Sequence, residues 1–229
     1  RSSNNAAYAL AEYVSHGDVY NFVDNMNERA RSMGLDSLRY CTPHGLPPGD
    51  TGTCMDQGSA YDIYKLAMTA IQYPEYMKIA DKSSDYIKGG AIQLKATNNL
   101  LGKVEGVDGL KTGYHRAAGS NIVLTAERDG LRMIAVVMGS EKSKNRDTIG
   151  ADEINSFFST YKKSKIVDSN KAVATIKISN KDYDLYPSED VEEIINVNNF
   201  NDSKVEYKFN VIKTVPRRIK NGEVLGDYT

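Results

Sequence analysis

A chain of 229 residues can form one large domain or two smaller ones, and a net charge of −1 gives no electrostatic reason to expect nucleic acid or an anionic membrane as a partner. Hydrophobic residues make up 40% of the chain, yet no apolar run reaches the length of a membrane span. The chain opens on Arg1 with no apolar leader behind it, so the sequence is expected to begin inside a longer protein.

Ser2, Ser3, Asn4 and Asn5 precede an Ala-rich run, Ala6–Val14, that predicts a short buried helix. His16-Gly17 ends it. Asp18 caps a second helix whose apolar residues Val19, Phe22, Val23, Met26, Ala30 and Met33 follow helical spacing, with Gly34 as its stop. Cys41 and Cys54 then bracket a Pro- and Gly-rich loop containing His44. A disulfide there would add about 3 kcal/mol in the chain-entropy model and imply an oxidising compartment. Two free thiols, or a zinc site with His44, remain open readings. Ser59 and Asp62 begin a third helix with Ile63, Leu66, Ala67, Ala70 and Ile71 inside. Pro74 interrupts it before a short helix over Glu75–Ala80.

Tyr86–Ile87 and Ile92–Thr97 read as short strands, and Asn98–Gly102 as a turn. Asn121–Arg128 and Leu131–Met138 are strand-like runs joined by Asp129-Gly130, a favoured hairpin turn. Leu110–Tyr114 is expected to pair with them or lie near them. A polar loop leads to a helix over Arg146–Lys162, with Ile149, Ile154, Phe157, Phe158 and Tyr161 on one side. From about Lys165, period-two alternation takes over. Ala172, Ala174, Ile176 and Ile178 show it, as do Val205, Tyr207, Phe209 and Val211. Asn180-Lys181 and Asn221-Gly222 supply turns. This predicts a small all-β module without a cluster of chemically active side chains.

The stretch Gly106–Asn121 holds Lys111, Thr112 and Gly113 in succession. On a strand, Lys111 and Gly113 share one face and Thr112 the other. Gly113 leaves the backbone bare for a ligand to pair with the strand edge, and Lys111 sets positive charge beside it. Alone, three common residues carry little. Read with Ser2-Ser3-Asn4 at a helix mouth, they give two of the three motifs of serine β-lactamases and penicillin-binding proteins, in the right order.

Together with Pro43–Pro47, Gly106–Gly113, Ala118–Asn121 and Ile134–Gly139, these residues make the chain resemble the low-molecular-weight penicillin-binding proteins, the D-alanyl-D-alanine carboxypeptidases. The resemblance covers nearly all of residues 1–163. It implies an α+β fold, a serine β-lactamase/transpeptidase-like domain with an antiparallel sheet and helices, followed by a C-terminal β domain over 164–229. It also implies a serine acyl-enzyme mechanism on stem peptides ending in D-Ala-D-Ala, acylation by β-lactams, no cofactor and no metal, and a place in the cell envelope.

By that resemblance Ser2 would relay a proton between nucleophile and leaving amine, and Asn4 would hold the substrate amide. Lys111 would supply charge and tune Ser2. Thr112 and Arg146 would bind the terminal carboxylate. Gly113 would admit the substrate as an added strand, and the Tyr114 N–H would be half of the oxyanion hole. The role of His44 stays open. The family's first motif, Ser-x-x-Lys, is expected upstream of Ser2. The one such spacing in the chain, Ser159-Thr160-Tyr161-Lys162, comes after Lys-Thr-Gly on a helix with core-like neighbours. The chain alone is therefore expected to bind weakly and not turn over, with the nucleophile supplied by an N-terminal segment of the same protein or by another chain. A non-catalytic peptidoglycan-binding scaffold and a β-lactamase are the alternatives.

Overall fold

The computed structural model describes residues 2–201, 208–211 and 219–228. The chain divides into two compact units, Arg1–Phe158 and Ser159–Thr229. In the first, helix α1 (Asn4–Val14) starts at Ser3, whose hydroxyl accepts from the Ala6 N–H at 3.3 Å. The expected burial of this helix is corrected. Ala11 is buried, but Leu10, Tyr13 and Val14 are 64%, 82% and 61% exposed, because only the Ala11 side of the helix is covered.

Helix α2 (Val19–Ser32) is capped by Asp18, which accepts from Asn21 N–H at 3.0 Å, and it buries Val23 and Ala30. Ala30 packs with Leu35 and Leu38, and Ile63 and Leu66 of α4 (Ala60–Ala70) close that cluster. Between α2 and α4 runs the Cys41–Cys54 loop, which contains the short α3 (Pro48–Thr51). The cysteines are disulfide-bonded, with Cα atoms 5.5 Å apart, so neither thiol is free to hold zinc. Half-buried side chains tie the loop down. Asn27 exchanges two hydrogen bonds of 2.8 Å with the Tyr40 backbone, and Asp56 accepts from the Cys41 and Thr42 N–H groups.

Ser59 caps α4, as its position predicts, by accepting from Asp62 N–H at 3.1 Å. Asp62 does more than support the first turn. It accepts from the Ser37 N–H and hydroxyl and pairs with Lys65 at 2.8 Å. Those contacts, the Lys65 hydrogen bond foremost, hold its carboxyl down to about 2.

Helix α5 (Pro74–Ala80) carries Pro at its first position, where a missing N–H costs nothing. Strands β1 (Ser84–Ile87) and β2 (Ile92–Lys95) form a hairpin. Strands β3 (Val107–His115), β4 (Gly119–Arg128) and β5 (Leu131–Ser140) form an antiparallel meander in the order β3-β4-β5. Asp129 and Gly130 adopt φ of 50° and 73°, as a two-residue turn that twists with its strands requires.

Helix α6 (Ser143–Thr160) packs on this sheet. Its buried stripe is Arg146, Gly150 and Ile154, spaced by four; of the predicted side, Ile154 is buried and Phe158 packs against the core, while Ile149 is 45% exposed. Gly150 sits so close to Leu124 that a Cβ would lie 2.5 Å from the leucine Cδ1. Leu124, Ile122 and Ile154 are almost wholly buried, and truncating any one to Ala would cost about 2–5 kcal/mol.

The second unit is built of antiparallel pairs. Strand β6 (Tyr161–Val167) begins four residues before the predicted change of pattern and pairs with β9 (Val191–Asn196). Strands β7 (Ala174–Ile178) and β8 (Lys181–Leu185) form a hairpin whose turn residues are Ser179 and Asn180, one position earlier than expected. Strand β10 (Phe209–Val211) pairs with β11 (Gly226–Tyr228). Val205 and Tyr207 of the predicted alternation lie outside the described residues.

Candidate active site

The site is built on the free edge of the meander. Strand β3 has β4 on one side only, and its register sets Lys111 opposite Val123, Thr112 opposite Ile122 and Gly113 opposite Asn121. The strand's burial alternates around the motif, with Lys111 and Gly113 open and Thr112 buried. A Cβ built on Gly113 would meet nothing within 4 Å, so this backbone is bare. Tyr114 beyond it is 71% exposed.

Lys111 reaches across to the N-terminal stretch. Its Nζ donates to the Ser2 hydroxyl at 2.9 Å, joining residues 109 positions apart, and also to the Thr112 carbonyl. The loss of water around the amine pushes the Lys111 pKa below the ordinary lysine value. A lysine so placed gives up a proton more readily than one in water and can exchange it with the Ser2 hydroxyl. Asn4, two residues on, is the first residue of α1. One turn later Tyr8 stacks on His44, with ring centroids 6.4 Å apart, so the disulfide loop reaches the same end of α1. The His44 Nδ1 accepts from the Leu46 N–H at 3.2 Å.

Two expected site residues stand apart from the Lys111 face. The Thr112 hydroxyl points to the other side of the strand and donates to Thr97 Oγ1 at 2.6 Å. Arg146 is 4% exposed, and its guanidinium donates to Asp147 Oδ1 at 2.9 and 2.6 Å and to the Asn121 carbonyl at 3.4 Å. Asn121 is the cross-strand partner of Gly113, so Arg146 lies beneath the strand next to the motif. Ser159 and Thr160 end α6 while Tyr161 and Lys162 begin β6, so the chain's one Ser-x-x-Lys spans two elements and does not present both groups along one helical turn.

Sequence reasoning passed over several residues that shape this site. Asn121 donates to the Ala118 and Gly119 carbonyls and accepts from Gly139 N–H at 2.8 Å, closing the top of the sheet. Thr97, Asn98 and Asn99 read only as a strand end and a turn. A run of side chains good at bonding backbone, set just before a motif strand, is the signal that was there to be used. Among the described residues no group of His, Cys, Asp and Glu could hold a metal ion.

The D-alanyl-D-alanine carboxypeptidase family matches residues 1–142. D-alanyl-D-alanine carboxypeptidase DacF of Bacillus subtilis is 31% identical over 98% of this chain and 58% of its own length. Penicillin-binding protein D2 of Listeria monocytogenes, solved with ampicillin bound, is 30% identical, with a TM-score of 0.59 over 68% of this chain and 63% of that one. A peptidoglycan synthesis regulatory factor (PBP3) of Streptococcus pneumoniae is 26% identical, with a TM-score of 0.71 over 98% of this chain and 66% of that one. The chain spans about half the length of the curated relatives it matches. It belongs to the D-alanyl-D-alanine carboxypeptidase family.

Proposed function

We propose that this chain contributes the substrate-binding and proton-relay side of a serine D-Ala-D-Ala carboxypeptidase, which trims the terminal D-Ala from peptidoglycan stem peptides and is acylated by β-lactams. The observation that carries the reading is the 2.9 Å contact from Lys111 Nζ to Ser2 Oγ, which unites two motifs 109 residues apart within the family match.

In the reaction a serine oxygen attacks the carbonyl carbon of the penultimate D-Ala. The serine proton leaves, the C–N bond breaks, and D-Ala departs as an amine that must be protonated. Ser2 is suited to hand that proton on, and Lys111 to keep the relay supplied. The peptide lies as an added strand on the open edge of β3, where Gly113 lets it approach. The Thr112 carbonyl accepts from Lys111 and so opens on this edge, and backbone groups two residues apart point the same way along a ladder. That supports the Tyr114 N–H as an oxyanion donor. Asn4 would hold the substrate amide. Lys111 supplies the first positive charge for the terminal carboxylate. Thr112 would join it by turning its proton to the carboxylate while accepting from the Thr97 hydroxyl, and Arg146 by exchanging its bond to Asp147 for the ligand. Residues 1–229 hold no helical Ser-x-x-Lys, so no nucleophile is assigned here.

The disulfide and the peptidoglycan substrate both favour an extracytoplasmic site of action. Among the described residues no helix is long and apolar enough to cross a membrane. The test treats the native protein with fluorescent penicillin and, separately, with a peptide ending in D-Ala-D-Ala. A covalent adduct and released D-Ala are expected. No adduct would leave a non-catalytic scaffold. Rapid penicillin release without peptide cleavage would favour a β-lactamase.

A further inference from the structure

Three consecutive side chains behind β3 each reach a different part of the site. Thr97 Oγ1 accepts from the buried Thr112 hydroxyl at 2.6 Å. Asn98, 8% exposed, donates from Nδ2 to the Gly109 carbonyl at 3.0 Å, and its Oδ1 accepts from Leu100 N–H at 3.0 Å. Asn99 donates from Nδ2 to Asp147 Oδ2 at 3.0 Å, and Asp147 Oδ1 is the partner of Arg146. The first two bonds bracket Lys111, one two residues before it and one immediately after. Strand β3 is an edge, paired in the sheet by β4 alone and packed from behind at Gly109 by Ala80 and Met77 of α5. The bonds from Thr97 and Asn98 fix it from behind, at the place where a small rotation would swing the Lys111 amine away from Ser2.

We propose that Thr97 and Asn98 are positioning residues for Lys111: they set the roll of β3 so that the Lys111 amine meets the Ser2 hydroxyl. Neither touches substrate. The Asn98 bond is buried, and the Thr112 end of the other bond is buried although Thr97 itself is exposed, so losing either bond leaves a buried group of the strand short of its partner. Thr97 is the sharper probe, because its hydroxyl has a single protein partner in view and its methyl can be kept. The proposal rests on the carboxypeptidase reading for the meaning of Lys111, but the geometry can be tested without it.

The experiment uses Thr97→Val, which keeps shape and removes the hydroxyl, and Thr97→Ser, which restores it. Thr97→Ala replaces the valine variant if that one does not fold. Two readouts are taken on each folded variant. The first is the titration of the Lys111 amine, followed by NMR of 13C-lysine-labelled chain and assigned with Lys111→Arg. The second is the rate of acylation of the native protein by fluorescent penicillin. In wild type the Lys111 amine is expected to titrate below ordinary lysines. Thr97→Val should move it back toward them and slow acylation by on the order of 100-fold, the scale of an ångström's misplacement, while penicillin still saturates at a similar concentration. Thr97→Ser should recover most of both.

A folded Thr97→Val with wild-type titration and wild-type acylation would overturn the proposal. So would Thr97→Ser failing to restore either, since that would make the effect one of packing. If the wild-type protein is not acylated at all, the carboxypeptidase reading fails, and the titration alone still decides whether Thr97 places Lys111.

Discussion

Two cations stand on the same three-stranded sheet and are treated in opposite ways. Arg132 on β5 is fully engaged. It pairs with Asp108 at 2.8 Å and Glu127 at 2.5 Å and donates to Thr125 Oγ1 at 2.7 Å, stapling all three strands. Lys111 on β3 has a hydroxyl and a carbonyl for company, and among the described residues no carboxylate pairs with it. A fork-shaped guanidinium with two carboxylates is a fastener whose charge is spent within the fold. An amine that has lost part of its water and is given no counter-ion holds its proton less tightly and is left open to a ligand. Arg146 is intermediate, buried and bound to Asp147, and it can serve a ligand only by trading that partner.

The contrast can be broken at its functional end first. Lys111→Ala in the native protein should lower penicillin acylation by about 10²–10⁴-fold, the range for removing a proton-transfer group, with thermal unfolding nearly unchanged. Gly113→Val should fold, because its side chain enters open space, yet it should block strand addition and slow acylation by roughly 100-fold. Equal acylation in either variant would remove the edge from the site. The structural end responds in stability. Cys41→Ser with Cys54→Ser should lower unfolding free energy by up to about 3 kcal/mol in denaturant titration, since the bridge closes a short loop. Arg132→Ala should cost about 1–2 kcal/mol by the same measurement and leave acylation per folded molecule as it was, because its fork is partly open to water.

The smallest effect is one of pH. Asp62 has a folded pKa of about 2 against an ordinary 3.8, so its carboxylate contributes stability above about pH 4 that is lost as pH falls toward 2. Asp62→Asn should flatten the stability profile across that window, and an unchanged profile would show that Asp62 does not set it.

Much of this was legible in the chain. The β4–β5 hairpin follows from two strand-like runs around Asp129-Gly130, where local turn chemistry and tertiary structure agree. The alternation of Lys111, Thr112 and Gly113 follows from strand geometry, and the caps Asp18 and Ser59 from their place before helices. What stayed hidden depends on distance. Thr97, Asn98 and Asn99 act on partners 15, 11 and 48 residues away, and no periodicity announces such bonds. On α6 Ile154 is legible as core, whereas Arg146 and Gly150 are buried positions without apolar side chains, which a hydrophobic count skips. The exposed faces of α1 were misjudged because an Ala-rich run looks equally buried all round.

Ser2 and Lys111 are expected to act as one unit, and a double-mutant cycle on the rate of penicillin acylation tests that directly. Ser2→Ala and Lys111→Ala should each slow acylation severely, and the double variant should be little slower than the worse single one. Losses that multiply in the double variant, or a single variant at the wild-type rate, would contradict it.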